Sequence, residues 1–164
     1  MYGDFDSVNK NILSKYKELT NIHKFNSEKD YTDTDIAIKL AVELDATEII
    51  IIGGIGTRLD HTIANVQSMR TAIKNNIKCK MIDQNNEIML INKKTRIDAS
   101  RYSYISILPL TTEVTGITLK GFKYLLDNKT LKTGESIGVS NEQIEKYGII
   151  ELKQGILIVI KARD

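Results

Sequence analysis

Carboxylates near the start of this 164-residue chain are spaced as a metal site requires. Asp4 and Asp6 stand two residues apart, so in an extended segment both side chains lie on one side of the backbone. Such a pair can hold a divalent cation, and Mg²⁺ commonly binds one or two carboxylates together with substrate phosphates. The alternative is an Asp-rich loop in which Asp6 or Ser7 caps the following helix. The segment alone leaves both interpretations open.

A second acidic segment surrounds Asp33. Thr32 and Asp35 resemble a capping box with aspartate in the usual glutamate position, so Thr32 is interpreted equally as a helix cap or as a ligand contact. Lys29 and Asp30 stand just before them. Capping requires one carboxylate, whereas clustered acids repel one another unless a cation or a lysine offsets their charge. This segment is therefore a second candidate for metal and phosphate chemistry.

The third segment, IIIIGGIGTRLDHT, predicts a strand, a tight turn and a helix. Four consecutive isoleucines suit a strand that is buried on both faces, as in a parallel sheet covered by helices. Gly53, Gly54 and Gly56 permit positive φ angles and let a ligand approach the backbone. Arg58 and Asp60 then fall at the start of the helix, where backbone amides favour anions. We therefore expect a phosphate-binding turn.

Two familiar glycine motifs do not account for this turn. A Walker A loop requires Gly-Lys-Ser/Thr, whereas Thr57 and Arg58 follow Gly56 here. A dinucleotide-binding fingerprint requires a third glycine where Leu59 stands. What remains is a turn with an arginine that can make forked contacts to phosphate.

Charge and cysteine content exclude several classes of protein. The 23 basic and 21 acidic residues give a net charge of +2, which is too even for a protein that tracks a nucleic-acid backbone. Cys79 is the single cysteine, so an internal disulfide and a CxxC motif are excluded, and we expect its thiol to be buried. No apolar run approaches the roughly 20 residues of a membrane span. We therefore predict a cytoplasmic protein.

The order of predicted elements indicates an α/β fold in two parts. Residues 1–93 alternate strands and helices, which predicts a mostly parallel, three-layer α/β domain with its site at the carboxyl ends of the strands. Residues 94–164 predict an antiparallel β-sandwich or barrel domain, because short strands follow one another there without a helical period. The predicted strands of this second part are 102–108, 114–119, 129–131, 136–139, 149–152 and 156–160.

Taken in order, the motifs GDFDS, KDxTD and GGIGTRLDHT, followed by LPL, EVTGITLKGFKYLLDN and IGVSNE, resemble those of the thiamine pyrophosphokinase family. The resemblance covers nearly the whole chain. It implies transfer of a diphosphate group from ATP to thiamine, which gives AMP and thiamine diphosphate. It also implies an ATP-binding α/β domain, a thiamine-binding β-sandwich domain and a homodimer with its active sites between the subunits.

The resemblance assigns roles to residues of this chain. Mg²⁺ would be held by Asp4, Asp6 and Asp33. The ATP site would contain Ser7, Lys29, Asp30, Thr32, Gly53, Gly54, Gly56 and Arg58. The residues implied in catalysis are Asp4, Asp6, Asp33, Arg58 and Asp60, and either Asp33 or Asp60 is the candidate that accepts the proton of the thiamine hydroxyl. Ser140 and Asn141, which alone are typical of an ordinary turn, would face thiamine.

The resemblance also predicts an additional α/β segment ahead of GDFDS, where only Met1 and Tyr2 stand. We therefore expect a chain that is short at its N-terminus, with exposed sheet edges and an incomplete site. This leaves two alternatives to the kinase. One is a truncated remnant that binds thiamine or nucleotide without turnover, and the other is a Mg²⁺-dependent phosphatase with Asp4 as nucleophile and Asp6 as acid.

Overall fold

The structure is a computed structural model that describes residues 31–164 throughout. Of the first thirty residues it describes Tyr2, Gly3, Asn11, Ser14, Lys15, Leu19, His23 and Lys24. Five residues of the expected metal and phosphate site lie outside the described residues: Asp4, Asp6, Ser7, Lys29 and Asp30.

Eleven strands and two helices have both ends among the described residues, and Asn11, Ser14 and Lys15 are also helical. The strands are β1 (Tyr2–Gly3), β2 (His23–Lys24), β3 (Glu48–Ile52), β4 (Lys78–Ile82), β5 (Asn86–Ile91), β6 (Thr95–Asp98), β7 (Tyr104–Pro109), β8 (Glu113–Lys120), β9 (Lys129–Lys132), β10 (Tyr147–Glu151) and β11 (Leu157–Ala162). The helices are α1 (Asp33–Glu43) and α2 (Leu59–Lys74). The expected mixed α/β class is confirmed. Neither helix is both long enough and apolar enough to cross a membrane.

A five-stranded sheet in the order β3-β4-β5-β11-β7 forms the centre of the molecule. Strands β3 and β4 are parallel, whereas the other neighbouring pairs of this sheet are antiparallel. The only other parallel pair among the described strands joins β1 to β2. Because β11 lies between β5 and β7, the sheet combines both halves of the chain. The predominance of parallel strands and the domain boundary at residues 93 and 94 stay predictions.

A second sheet, in the order β6-β10-β8-β9, packs against one face of the first. Apolar residues from both sheets form the core between them: Ile91, Ile105, Ile107, Leu157 and Val159 from the first sheet, and Ile97, Val114, Ile117, Leu119, Leu131 and Ile150 from the second. Strands β7 and β11 contribute alternate residues to this core, as the two-residue period of a strand requires, whereas Val114 and Ile117 of β8 are three residues apart because the register shifts between them. The predicted strands at 102–108, 114–119, 129–131, 149–152 and 156–160 are confirmed to within two residues at their ends.

The predicted strand at 136–139 is wrong. These residues form a turn in which the amide of Val139 donates to the carbonyl of Ser136 at 3.1 Å. Gly138 packs directly on β7, since a Cβ atom there would lie 2.5 Å from the carbonyl oxygen of Ile107. Strand β6, in turn, was not expected. Both differences come from contacts between distant segments rather than from local pattern.

Helices α1 and α2 cover the other face of the five-stranded sheet. Their core contains Ile38 of α1, Met69 and Ala72 of α2, Cys79 and Met81 of β4, and Ile88 and Leu90 of β5. Cys79 is buried as predicted, and this burial raises the pKa of its thiol to about 11.

The expectation that β3 is buried on both faces is wrong in the described structure. Ile49 and Ile51 pack against the helical core, but Ile50 is 50% exposed and Ile52 is 83% exposed. The reason is the position of the strand. Among the described strands β3 lies at the edge of its sheet, and the second sheet covers β5, β11 and β7 instead.

Candidate active site

The glycine turn joins the end of β3 to the start of α2. Gly53 has φ of +78°, a left-handed conformation that favours glycine. Gly54 is buried, and a Cβ atom there would collide with Met81 Sδ and lie 2.9 Å from Ile51 Cγ2. Around Gly56, by contrast, the space is open. Conformation therefore requires glycine at the first position and packing requires it at the second, while the third leaves the backbone accessible.

Side chains of α2 hold this turn in place. The amide of Asn65 donates from Nδ2 to the carbonyl oxygen of Gly54 at 2.9 Å. The hydroxyl of Thr62 accepts from the amide of Gly56 at 3.2 Å and lies 3.3 Å from the carbonyl oxygen of Arg58. Sequence reasoning missed both residues. The signal for Asn65 was present, because it is the polar member of a stripe with Met69 and Ala72 at helical spacing.

Arg58 and Asp60 form a two-point ion pair at the start of α2. The distances are 3.2 Å from Nε to Oδ1 and 2.6 Å from Nη2 to Oδ2. Both side chains are mainly exposed, at 70% and 63%. The hydrogen bond from Arg58 lowers the pKa of Asp60 to about 2, and the same interaction raises the pKa of Arg58. The Asp60 carboxylate therefore stays ionised across the physiological range.

The second acidic segment begins α1. The hydroxyl of Thr32 accepts from the amide of Asp35 at 3.2 Å, so its predicted capping role is confirmed, while its contact to ATP stays a prediction. Asp33 is exposed in the first turn of the helix. The carboxylate of Asp35 pairs with Lys39 at 2.8 Å, and Lys39 Nζ lies 3.2 Å from the centre of the Tyr31 ring. This end of α1 thus presents Asp33 to solvent.

Within the described part of the chain, no three histidine, cysteine or acidic side chains are grouped closely enough to hold a metal ion. Asp33 belongs to the expected set, and its other two members lie outside the described residues. The oxygen chemistry of these three carboxylates fits Mg²⁺, a hard cation that binds oxygen ligands. None of the three expected ligands is a cysteine or a histidine.

Ser140 and Asn141 lie in a loop of the second half, beside the start of β7. Asn141 is 6% exposed and bridges to Ile105 of β7 through its backbone. Its side chain holds a neighbouring loop, because Oδ1 accepts from the amide of Tyr124 at 3.0 Å and Nδ2 donates to the carbonyl oxygen of Tyr124 at 2.7 Å. Ser140 is exposed and has φ of +57°. Asn141 therefore fixes the position of the loop, and Ser140 presents an accessible hydroxyl.

The loops around Ser140 expose five apolar side chains. We call this set the loop patch, and its members are Tyr124, Leu125, Ile137, Val139 and Ile144, each between 45% and 67% exposed. The two loops are joined by an ion pair from Lys123 Nζ to Glu142 Oε1 at 2.7 Å. Apolar side chains exposed on two neighbouring loops make these loops a candidate interaction surface.

Register pairs place the glycine turn and the Ser140 loop at the same end of the sheet but at opposite edges. One row of paired residues crosses the sheet, in the order Ile52, Ile82, Glu87, Lys161, Ile105 and Asn141. Neighbouring strands lie about 4.8 Å apart, so five steps separate the first residue of the row from the last by about 24 Å. The structure thus brings the glycine turn together with Arg58 and Asp60, and it leaves Ser140 and Asn141 distant within one chain.

Comparison with known proteins gives a consistent match. The family model described as "Thiamin pyrophosphokinase, catalytic domain" matches residues 1–81, and the model described as "Thiamin pyrophosphokinase, vitamin B1 binding domain" matches residues 91–157. The chain is 35% identical to a thiamine pyrophosphokinase of Bacillus subtilis (strain 168), in an alignment that covers 99% of this chain and 78% of the relative.

Solved structures agree with the sequence comparison. The crystal structure of thiamine pyrophosphokinase from Bacillus subtilis superimposes with a TM-score of 0.90 at 35% identity, over 99% of this chain and 78% of that one. The crystal structure of thiamin pyrophosphokinase from Geobacillus thermodenitrificans has a TM-score of 0.86 at 32% identity, over 99% and 76% of the two chains.

The ion pair at the start of α2 makes a prediction about acid titration. Replacing Arg58 by glutamine removes the cation that favours the Asp60 carboxylate, so the pKa of Asp60 should rise from about 2 towards its ordinary value of 3.8. Carbon NMR of aspartate carboxyl groups during an acid titration measures this directly. Arg70→Gln, on an exposed position of the same helix, should leave the pKa of Asp60 unchanged. A pKa that remains near 2 in Arg58→Gln would contradict the assignment.

The sign of the linked stability effect follows from the same pair. The pKa of Asp60 is lower in the folded chain than in the unfolded chain, so the pair stabilises the fold above the unfolded pKa near 3.8. That contribution disappears as the pH falls through the folded pKa of about 2.

Proposed function

The chain belongs to the thiamine pyrophosphokinase family, and we propose on that premise how its residues carry out the reaction. The chain is a thiamine diphosphokinase, which transfers a diphosphate group from ATP to the hydroxyethyl oxygen of thiamine and releases AMP. The structural observation that carries this function is the glycine turn that ends in the Arg58–Asp60 pair at the start of α2. A buried single cysteine fits a cytoplasmic location for this enzyme.

The turn and the start of α2 bind the phosphates of ATP. Gly53 and Gly56 are exposed and carry no side chain that would keep a phosphate away from the backbone. Arg58, at the N-cap position, makes no side-chain hydrogen bond to the amides of the first turn. Backbone donors and the positive end of the helix dipole therefore favour an anion here. The family resemblance also assigns Thr32, at the start of α1, and Ser7, Lys29 and Asp30 to the ATP phosphates.

Binding of ATP exchanges the partners of Arg58. The guanidinium fork that now contacts Asp60 matches the geometry of a phosphate group equally well. When the fork turns to phosphate, the Asp60 carboxylate loses the hydrogen bond that holds its pKa at about 2 and becomes a stronger base. Asp60 then accepts the proton of the thiamine hydroxyl while the hydroxyl oxygen of thiamine attacks the β-phosphorus of ATP. Asp33 is the other candidate for the residue that accepts this proton.

Mg²⁺ fits the acidic side chains of the family motif. Asp33, with Asp4 and Asp6, would hold the cation through oxygen, as Mg²⁺ requires. When bound, Mg²⁺ neutralises charge on the phosphate oxygens, and transfer of a phosphoryl-type group depends mainly on positioning and on such neutralisation. Arg58 adds a permanent positive charge at the start of α2.

Ser140 and Asn141 complete the site of a second copy. Groups that act on one transferred diphosphate must all lie close to it, whereas about 24 Å separates Asn141 from the end of β3 along the row of strands. The loop patch surrounds Ser140 and supplies the apolar surface through which two copies can associate. In this arrangement residues 1–93 of one chain bind ATP and residues 94–164 of its partner bind thiamine.

The activity is tested by incubating the chain with ATP, Mg²⁺ and thiamine. We expect one AMP for each thiamine diphosphate, measured by liquid chromatography, and no product after chelation of the metal. Asp60→Asn should lower kcat by about a hundredfold or more, because loss of a general base typically costs that much. A folded wild-type chain that forms no AMP would contradict the kinase function. Thiamine binding without AMP would then indicate the non-catalytic remnant, and release of phosphate from simple esters would indicate the phosphatase.

A matched control is available in β6. Asp98 also pairs with an arginine two residues earlier, at 2.7 Å from Arg96 Nη2, and it is 68% exposed. Asp98→Asn removes the same charge from the same kind of pair, but this pair lies outside the glycine turn. We therefore expect Asp98→Asn to retain wild-type kcat.

The thiamine side is tested by substitutions in the Ser140 loop. Ser140→Ala removes an exposed hydroxyl, so we expect KM for thiamine to rise about fivefold, the equivalent of one hydrogen bond of about 1 kcal/mol, while KM for ATP stays unchanged. Asn141→Asp removes the donor to the Tyr124 carbonyl and should raise KM for thiamine further by displacing that loop. Ser136→Ala, on an exposed position at the start of the turn that precedes Ser140, is the control. Equal KM values for thiamine in all three variants would contradict the assignment.

The shared site is tested by the mass of the assembly and by mixing variants. We expect sedimentation equilibrium to show twice the chain mass of 18.5 kDa, and Leu125→Glu in the loop patch to give monomers without activity. Leu44→Glu, at an equally exposed leucine outside the patch, should leave the dimer intact. Mixing Asp60→Asn chains with Asn141→Asp chains should restore part of the activity, because each mixed dimer has one site with both residues intact. No recovery on mixing, with dimers present, would contradict a site between subunits.

A further inference from the structure

Asn65 is a polar residue in the buried stripe of α2. The buried residues of this helix are Asn65, Met69 and Ala72, whose spacing places them on the face that packs against the sheet. Asn65 is only 7% exposed. A buried amide group destabilises a fold unless it is hydrogen-bonded, so its presence on an apolar face requires an explanation.

The partner of Asn65 is the glycine turn rather than the helix. Its Nδ2 atom donates to the carbonyl oxygen of Gly54 at 2.9 Å, eleven residues earlier in the chain. Gly54 is confined from the other side as well, because Met81 and Ile51 lie against the position that a side chain would occupy. The Gly54 carbonyl is therefore fixed in direction, towards α2.

The direction of this carbonyl determines the direction of the next amide. In a planar trans peptide the C=O and N–H bonds point in opposite directions, so a Gly54 carbonyl held towards α2 turns the amide hydrogen of Ile55 away from α2. That hydrogen has no partner within the described residues. The neighbouring amide of Gly56, by contrast, is occupied by the hydroxyl of Thr62 at 3.2 Å.

We propose that Asn65 is a positioning residue for ATP, which holds the Gly54 carbonyl so that the Ile55 amide donates to a phosphate oxygen of the nucleotide. The proposal rests on the proposed function, since it assigns the turn to ATP. Asn65 itself does not touch the substrate. Its contribution is to keep one backbone donor aimed at the phosphate before ATP arrives, which removes the need to reorder the turn on binding.

The test is the substitution Asn65→Asp, which keeps the shape of the side chain and removes the donor. At neutral pH an ionised carboxylate next to the Gly54 carbonyl repels it, so we expect KM for ATP to rise tenfold or more while KM for thiamine is unchanged. Burial raises the pKa of the introduced carboxyl group, and its protonated form can again donate to Gly54. The ratio of KM for ATP between the variant and the wild-type chain at the same pH should therefore fall as the pH is lowered.

Gln67→Glu is the matched control, because it makes the same change from amide to carboxyl at an exposed position of the same helix. It should retain the wild-type KM for ATP at every pH. Asn65→Ser is the second variant, for use if Asn65→Asp does not fold. Its shorter side chain cannot reach Gly54, so KM for ATP should rise without the pH dependence.

Calorimetric titration with ATP separates this inference from the function itself. If the wild-type chain binds ATP but forms no AMP, the kinase function fails, and weaker ATP binding by Asn65→Asp still supports the positioning role. A folded Asn65→Asp or Asn65→Ser variant with wild-type ATP affinity overturns the inference. So does an equal rise in KM for both substrates that is independent of pH, because that is the result of a merely structural role. Absence of ATP binding by the wild-type chain overturns both proposals.

Discussion

The pairing of β11 between β5 and β7 is the constraint on which both cores depend. Side chains alternate along a strand, so β11 sends Leu157 and Val159 to the core between the sheets, and Ile158 and Ile160 to the core under the helices. One strand therefore couples two packed layers. The row of paired residues from the end of β3 to Asn141 passes through this strand as well, so the place of β11 in the sheet helps to set the distance between the glycine turn and the Ser140 loop.

The local sequence was sufficient to predict the structure of a segment where the contacts that determine that structure are themselves local. Gly53 and Gly54 predicted the turn because one needs a left-handed backbone and the other has no space for a side chain. Thr32 predicted a helix start because its hydroxyl caps an amide three residues later. The short strands of the second half were also recognisable from their two-residue period.

Predictions from the local sequence failed where contacts with a distant segment of the chain determine the structure. Four isoleucines look alike in sequence, and only the order of strands shows that β3 lies at the edge of the described sheet, with Ile52 exposed. Residues 136–139 suit a strand, but Gly138 packs on Ile107 of another strand and makes a turn there. Asn65 has its partner in a turn eleven residues away. The pairs Arg58–Asp60 and Arg96–Asp98 have the same spacing, and only their surroundings distinguish a site from a surface ion pair.

The central position of β11 also has a consequence for how the chain is made. During synthesis β5 and β7 leave the ribosome well before β11, and each then carries an edge of unpaired backbone groups beside apolar side chains that have no core. Because β11 is far along the sequence from β5 and β7, folding is slower and the incomplete chain is more prone to aggregate. The central sheet is thus completed only after translation has passed residue 162.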